Sequence, residues 1–91
     1  MIDNYNLCTT ETVAHFLNMD IVFRVQVFDA IEQFKTGIWG NIPKEEKEEN
    51  NANLKAHKGE ILARYNTNIG DINIFSEFKS KSALIMFSGE L

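Results

Sequence analysis

The stretch Gly37-Ile38-Trp39-Gly40-Asn41-Ile42-Pro43 divides this sequence into two parts with different patterns. It contains the only tryptophan and the only proline of the 91 residues, together with two of the five glycines. Apolar residues at helical spacing come before it, and a charged segment followed by alternating apolar residues comes after it. We therefore expect a loop here that joins a helical part of the chain to a strand-rich part.

Two helices are predicted before this loop. Thr9, Thr10 and Glu11 are typical of a helix start, because hydroxyl groups cap free amides and an acidic side chain suits the positive helix end. A second helix is predicted from about residue 20 to residue 36, although Val22–Phe28 is rich in residues that favour strands. The helical interpretation depends on apolar residues at helical spacing, which are Phe23, Val27, Ala30, Ile31 and Phe34.

A polar helix and three strands are predicted after the loop. Pro43 fits the first turn of the helix, its early glutamates suit the positive end, and Gly59 is expected to end it. Alternating apolar residues then predict strands around 61–65, 72–75 and 83–87, joined by short turns in an antiparallel meander. The sequence therefore predicts a single α+β domain over residues 1–91, with two or three N-terminal helices and the polar helix packed on a three-stranded antiparallel sheet.

Charge and composition exclude several functional classes. The net charge is −4, and the nine basic residues are scattered, which argues against a general nucleic-acid-binding surface. No apolar run is long enough to cross a membrane, and Met1–Asn6 lacks the basic and apolar regions of a signal peptide. Cys8 is the only cysteine, so no internal disulfide can form. We expect a cytoplasmic protein that does not bind membranes.

No catalytic, metal or cofactor site is predicted from the sequence. His15 and His57 have no partners at metal-ligand spacing, and Cys8 has no neighbouring base to activate it. The glycines are spread among turns and do not form a phosphate-binding loop. We therefore expect a protein that is not an enzyme and needs no cofactor or metal. Two alternatives stay open, namely an enzyme or enzyme subunit with an unrecognised site and a small transcriptional regulator.

Partner binding is the role for which candidate residues can be named. The candidates are Trp39, Glu45, Glu46, Glu48, Glu49 and Glu77. The four helical glutamates form either a solvated first turn or an acidic patch that meets a basic protein surface. Trp39 is predicted to plug the loop onto the core, and the alternative is an exposed binding anchor. Glu77 either ends a strand at the surface or contributes to binding.

Three short motifs occur in a fixed order along the chain. They are Gly-Ile-Trp-Gly at 37–40, the polar helix with Glu45, Glu46 and Asn50, and Ile-Leu-Ala-Arg-Tyr at 61–65. Further matching positions are Leu54, before the third motif, and Ile72, Ile74, Glu77 and Glu90, after it. Together they resemble a family of small proteins found on bacterial plasmids, phages and integrative elements. The chain departs from that pattern at Phe78-Lys79, where members carry an acidic-basic pair, and at Glu60, where a basic residue is common. The resemblance implies a mobile-element setting and supplies no catalytic residues.

These observations predict a non-enzymatic mobile-element protein that acts by protein–protein binding. In particular, we expect an acidic inhibitor of the anti-CRISPR or anti-restriction type. Its partner would be a host defence nuclease with a basic surface. A homodimer or a partner contact is also predicted, through the edge of the last strand, Ser82–Phe87, or through the apolar side chains near it. This strand has no interior charge or proline to discourage edge pairing.

Overall fold

The computed structural model describes residues 5–90, which form three helices and four strands. The helices are α1 (Glu11–Met19), α2 (Ile21–Lys35) and α3 (Lys44–Ala56). The strands are β1 (Asn6–Thr9), β2 (Glu60–Tyr65), β3 (Ile72–Glu77) and β4 (Ser82–Phe87). The predicted α+β class is confirmed. The expectation about a signal peptide falls largely on residues 1–4, which lie outside the described range.

The sheet has four strands in the order β1-β4-β3-β2, and it is mixed. β2 and β4 each pair antiparallel with β3, as the meander predicts. β1, however, pairs parallel with β4, so the prediction of a three-stranded antiparallel sheet is wrong. The sequence gives no strand signal at β1 because its four residues are all exposed and show no apolar alternation.

β1 also changes which strands lie at the edges of the sheet. β4 lies between β1 and β3, so neither of its sides is free. The prediction of a dimer through the edge of Ser82–Phe87 is therefore wrong. The two edge strands of the described sheet are β1 and β2.

α1 and α2 cover one face of the sheet, which we call the inner face. Each helix has a side-chain cap: Thr10 Oγ1 accepts the Val13 N–H at 3.3 Å, and Asp20 Oδ1 accepts the Phe23 N–H at 2.9 Å. The helices and the inner face bury one apolar core, as predicted for α2. Its most deeply buried large side chains are Val13, Phe23, Val27, Ile61, Ile72, Ile74 and Ile85.

The ends of α2 and α3 differ in how well they were predicted. α2 ends as expected, because Gly37 has a φ of 82° and the next N–H, that of Ile38, donates to the Gln33 carbonyl at 2.9 Å. α3 ends earlier than the predicted Gly59, at His57, which has a left-handed φ of 55°.

No helix within residues 5–90 is long and apolar enough to cross a membrane.

The loop of residues 37–43 forms hydrogen bonds with the edge of β2 that does not pair with β3. Trp39 is only 3% exposed, and its Nε1 donates to Asn51 Oδ1 of α3 at 2.8 Å. The Arg64 N–H donates to the Trp39 carbonyl at 3.2 Å, and the Asn41 N–H donates to the Arg64 carbonyl at 2.7 Å. The loop thus pairs with β2 like a very short parallel strand, and the predicted role of Trp39 as a core plug is confirmed.

Two asparagines of α3 hold the rest of the β2 edge. Asn50 Nδ2 donates to the Leu62 carbonyl at 2.9 Å, and the Leu62 N–H donates to Asn50 Oδ1 at 3.4 Å. Asn53 Nδ2 donates to the Glu60 carbonyl at 2.9 Å. A side-chain amide can replace a neighbouring strand in this way because it offers one donor and one acceptor.

Asn50→Ala is expected to lower the free energy of unfolding by about 1–3 kcal/mol, because Asn50 is 5% exposed and the change leaves both Leu62 backbone groups unpaired. Urea unfolding followed by circular dichroism measures the change. Asn53→Ala is the matched control, since it removes one bond at a more exposed position. Equal losses for the two variants would contradict the bridging role of Asn50.

Candidate protein-binding surfaces

One side of α2 is apolar and faces solvent. Ile21, Val25 and Phe28 share this side at helical spacing and are 70%, 55% and 58% exposed. Val22, which is 51% exposed, and Met19 at the end of α1, which is 71% exposed, extend it. We call these five residues the α2 surface.

The basic side chains of α2 are engaged elsewhere and do not cover the α2 surface. Arg24 Nε donates to the Leu17 carbonyl at 2.9 Å, which ties this side chain to α1. Lys35 Nζ lies 3.7 Å from Glu32 Oε1, in the one ion pair found among residues 5–90. Contiguous exposed apolar patches are uncommon on monomeric proteins and mark sites where another molecule binds.

The α2 surface was not predicted, because helical spacing was used only to find the one buried stripe that begins at Phe23. Phe23 and Val27 are buried, as that stripe requires, whereas Val25 and Phe28 face outward. The strand-like composition of Val22–Phe28 was the available signal. A helix that is apolar on two sides shows such a composition, and helices of this kind are normally covered on both sides.

The face of the sheet opposite the helices, which we call the outer face, carries an apolar row. The strand register places Leu62, Phe75, Leu84 and Cys8 side by side across all four strands. The first three side chains are half-buried, and Cys8 is exposed. α3 adjoins the β2 end of this row through the Asn50 bonds to Leu62.

Carboxylates border the apolar row where β2 meets α3. Glu46, Glu49 and Glu60 line an open cleft together with Leu62 and Phe75. Glu60 also lies directly opposite Glu77 in the β2–β3 register, and like charges in such a pair are destabilising. We call Glu46, Glu49, Glu60 and Glu77 the acidic border. None of the four forms an ion pair within the described part of the chain.

The predicted glutamates therefore separate into two groups. Glu46 and Glu49 line the cleft, whereas Glu45 and Glu48 are exposed on α3 and do not line it. Glu77 is exposed at the end of β3 and also lines a second cleft with His57 and Lys58. Glu60 was missed as a candidate because the sequence singles it out only as a departure from the family pattern.

Trp39 belongs to neither surface, so its alternative reading as an exposed anchor is corrected. Its ring is buried beneath the loop, and the neighbouring Tyr65 hydroxyl donates to the Ile38 carbonyl at 2.7 Å. Burial raises the pKa of the Tyr65 hydroxyl well above its usual range. The hydrogen bonds of Trp39 to Asn51 and of Tyr65 to Ile38 thus both hold the loop of residues 37–43 in place.

Neither a search for metal-ligand groups nor a comparison with known proteins identifies a function. Within residues 5–90, no three His, Cys, Asp or Glu side chains are grouped so that they could hold a metal ion. The chain matches no protein-family model, no curated protein and no solved structure. The resemblance to mobile-element proteins therefore depends on the motif residues alone.

Proposed function

We propose that this protein is a non-enzymatic binding module that acts by contact with another protein. The observation that carries this proposal is the α2 surface, whose five large apolar side chains are each more than half exposed. Apolar area in contact with water costs about 25 cal/mol per Å², and a bound partner recovers that free energy. The same helix buries its other side in the core, so the surface is held rigidly for docking.

The acidic border supports a partner with a basic surface. Its four carboxylates have no cation within ion-pair distance in the described chain, and the net charge of −4 favours encounter with a positive groove. A host defence nuclease of the CRISPR or restriction type has such a groove, because it must bind nucleic acid phosphates. With the mobile-element resemblance, this makes an inhibitor of that class the specific function that we propose, acting in the cytoplasm.

The two alternative functions have less support. A regulator that binds DNA through α2 would need basic residues on its exposed side, but that side is apolar and Arg24 is bonded to Leu17. An enzyme site built from Glu77, Asn50 and a histidine would need them in one cleft. Glu77 shares a cleft with His57, whereas Asn50 lines another one and is bonded to Leu62.

Affinity capture from bacteria that carry CRISPR or restriction systems tests the proposal. The wild-type protein is expected to enrich one defence component and to raise the survival of a phage or plasmid that the system attacks. Two double variants should lose capture: Val25→Lys with Phe28→Lys on the α2 surface, and Glu46→Lys with Glu49→Lys at the acidic border. A substitution at an exposed position usually changes the free energy of unfolding by less than about 0.5 kcal/mol, so both variants should fold.

The chain offers a matched control for each double variant. Glu45→Lys with Glu48→Lys makes the same change of net charge on α3 away from the cleft, and it should keep capture. Gln33→Lys adds a cation at an exposed position of α2 outside the α2 surface, and it should also keep capture. If no defence component is enriched and survival is unchanged, the inhibitor function is wrong. If all the variants bind the partner equally, neither the α2 surface nor the acidic border contacts it.

A further inference from the structure

The two edges of the sheet differ in whether their backbone groups are used. On β2, the outward groups of Leu62 and Arg64 are all hydrogen bonded, to Asn50 and to the loop. On β1, the Asn6 N–H donates to the Lys81 carbonyl and the Thr10 N–H to the Ile85 carbonyl, each at 3.1 Å. Because successive residues of a strand alternate in direction, the N–H and C=O groups of the intervening residues 7 and 9 point away from β4.

β1 also lacks the side chains that usually prevent edge pairing. Leu7 and Thr9 have no hydrogen-bond partner for their outward backbone groups among residues 5–90. The strand contains no proline and no charged residue, and only its short length of four residues limits edge pairing. All four residues of β1 are exposed, Leu7 at 45%, so this edge of the sheet is in contact with solvent.

We propose that β1 pairs antiparallel with β1 of a second copy of this chain, about a two-fold axis at Cys8. In this register, Leu7 lies opposite Thr9 of the second copy and each such pair exchanges two backbone hydrogen bonds. Cys8 then faces its own counterpart in the intervening non-hydrogen-bonded pair. The pairing joins the two sheets into one, and its backbone bonds use no residue of the α2 surface or of the acidic border.

Charge complementarity selects a second copy in this orientation. The basic residue Lys81 lies at the start of β1, since its carbonyl accepts the Asn6 N–H, and Glu77 lies on β3, one strand further from the pairing edge. The acidic residues lie at the other end, where Glu11 follows β1 and Glu90 Oε1 accepts the Thr10 hydroxyl at 3.0 Å. An antiparallel pair brings the basic end of one copy beside the acidic end of the other, and the two-fold axis makes this contact twice.

Analytical ultracentrifugation tests the pairing. The wild-type protein should sediment as a dimer of the 10.4 kDa chain at micromolar concentration. Leu7→Pro should sediment as a monomer with an unchanged circular dichroism spectrum, because it removes an N–H that points away from β4. Leu7→Ala keeps that N–H and should stay dimeric. A monomeric wild-type protein, or a dimer that survives in folded Leu7→Pro, would overturn the proposal. Loss of that dimer in Val25→Lys with Phe28→Lys would place the contact on the α2 surface instead.

Disulfide cross-linking tests the register even if Leu7→Pro does not fold. Directly opposed residues of a non-hydrogen-bonded pair have Cα atoms about 4.5 Å apart, within the range that a disulfide bridges. Diamide, which takes up the two thiol hydrogens, should therefore convert the wild-type protein to a covalent dimer. In the variant Cys8→Ser with Thr9→Cys, the two cysteines lie on opposite sides of the axis and should cross-link far more slowly. Equal rates at positions 8 and 9 would contradict the proposed register.

Discussion

Trp39→Ala is expected to lower the free energy of unfolding by about 3–5 kcal/mol, as is usual when a large buried aromatic side chain is removed. The indole is 3% exposed, its ring centre lies 5.6 Å from that of Phe34, and its Nε1 is bonded to Asn51. Small domains are stable by about 5–15 kcal/mol, so this variant loses a large part of its stability. Urea unfolding measures the loss, and wild-type tryptophan emission should be blue-shifted and protected from quenchers.

Trp39→Phe separates the packing of the ring from its hydrogen bond. Phenylalanine keeps an aromatic ring against Phe34 but loses the donor to Asn51, so the variant should be clearly more stable than Trp39→Ala. A fully folded Trp39→Ala protein with wild-type stability, together with wild-type emission like that of free tryptophan, would show that the side chain is not part of the core.

Gly40→Ala is expected to lower the free energy of unfolding by about 2–5 kcal/mol. A Cβ atom at this position is disfavoured both by the left-handed backbone and by steric overlap with neighbouring atoms. Gly40 has a φ of 75°, and a Cβ there would collide with the Arg64 carbonyl oxygen and the Tyr65 ring. The collision is with backbone, which cannot move without breaking the pairing of the loop with β2. Thermal unfolding followed by circular dichroism measures the loss.

Gly37→Ala is the matched control for Gly40→Ala. Gly37 has a similar φ of 82°. A Cβ atom at Gly37 would lie 3.8 Å from the nearest atom, a carbon of the Trp39 ring, which is an ordinary contact distance. The control therefore measures the cost of the left-handed backbone alone, which is about 1–2 kcal/mol. If the two variants lost the same stability, the close approach of Gly40 to β2 would not matter for the fold.

The parts of the fold that were predictable are those with a periodic apolar pattern. α2 buries every third to fourth residue and β2 and β3 bury every second one, so their positions follow from spacing. β4 alternates in the same way, except that Met86 is buried together with Ile85. β1 could not be found in this way, because it is short, exposed and held by backbone bonds to β4. Its absence from the prediction placed the free edge on the wrong strand.

The candidate surfaces were predictable only in part. The glutamates of α3 were identified from charge, but which of them border the apolar row depends on the packing of α3 against β2. Glu60 and Glu77 are far apart in sequence and become neighbours only through strand register. The α2 surface was hidden because Val25 and Phe28 look like core residues in a sequence, and only the position of the sheet shows which side of the helix is covered.

Calorimetric titration of the captured partner is the most direct measurement of the central claim, which is that this protein acts by binding another protein through the α2 surface. The wild-type protein and the variant Val25→Lys with Phe28→Lys are titrated under the same conditions, after equal melting temperatures have been confirmed. We predict that the variant binds at least about tenfold more weakly, which corresponds to about 1.4 kcal/mol. Equal affinity of the two folded proteins would contradict the claim.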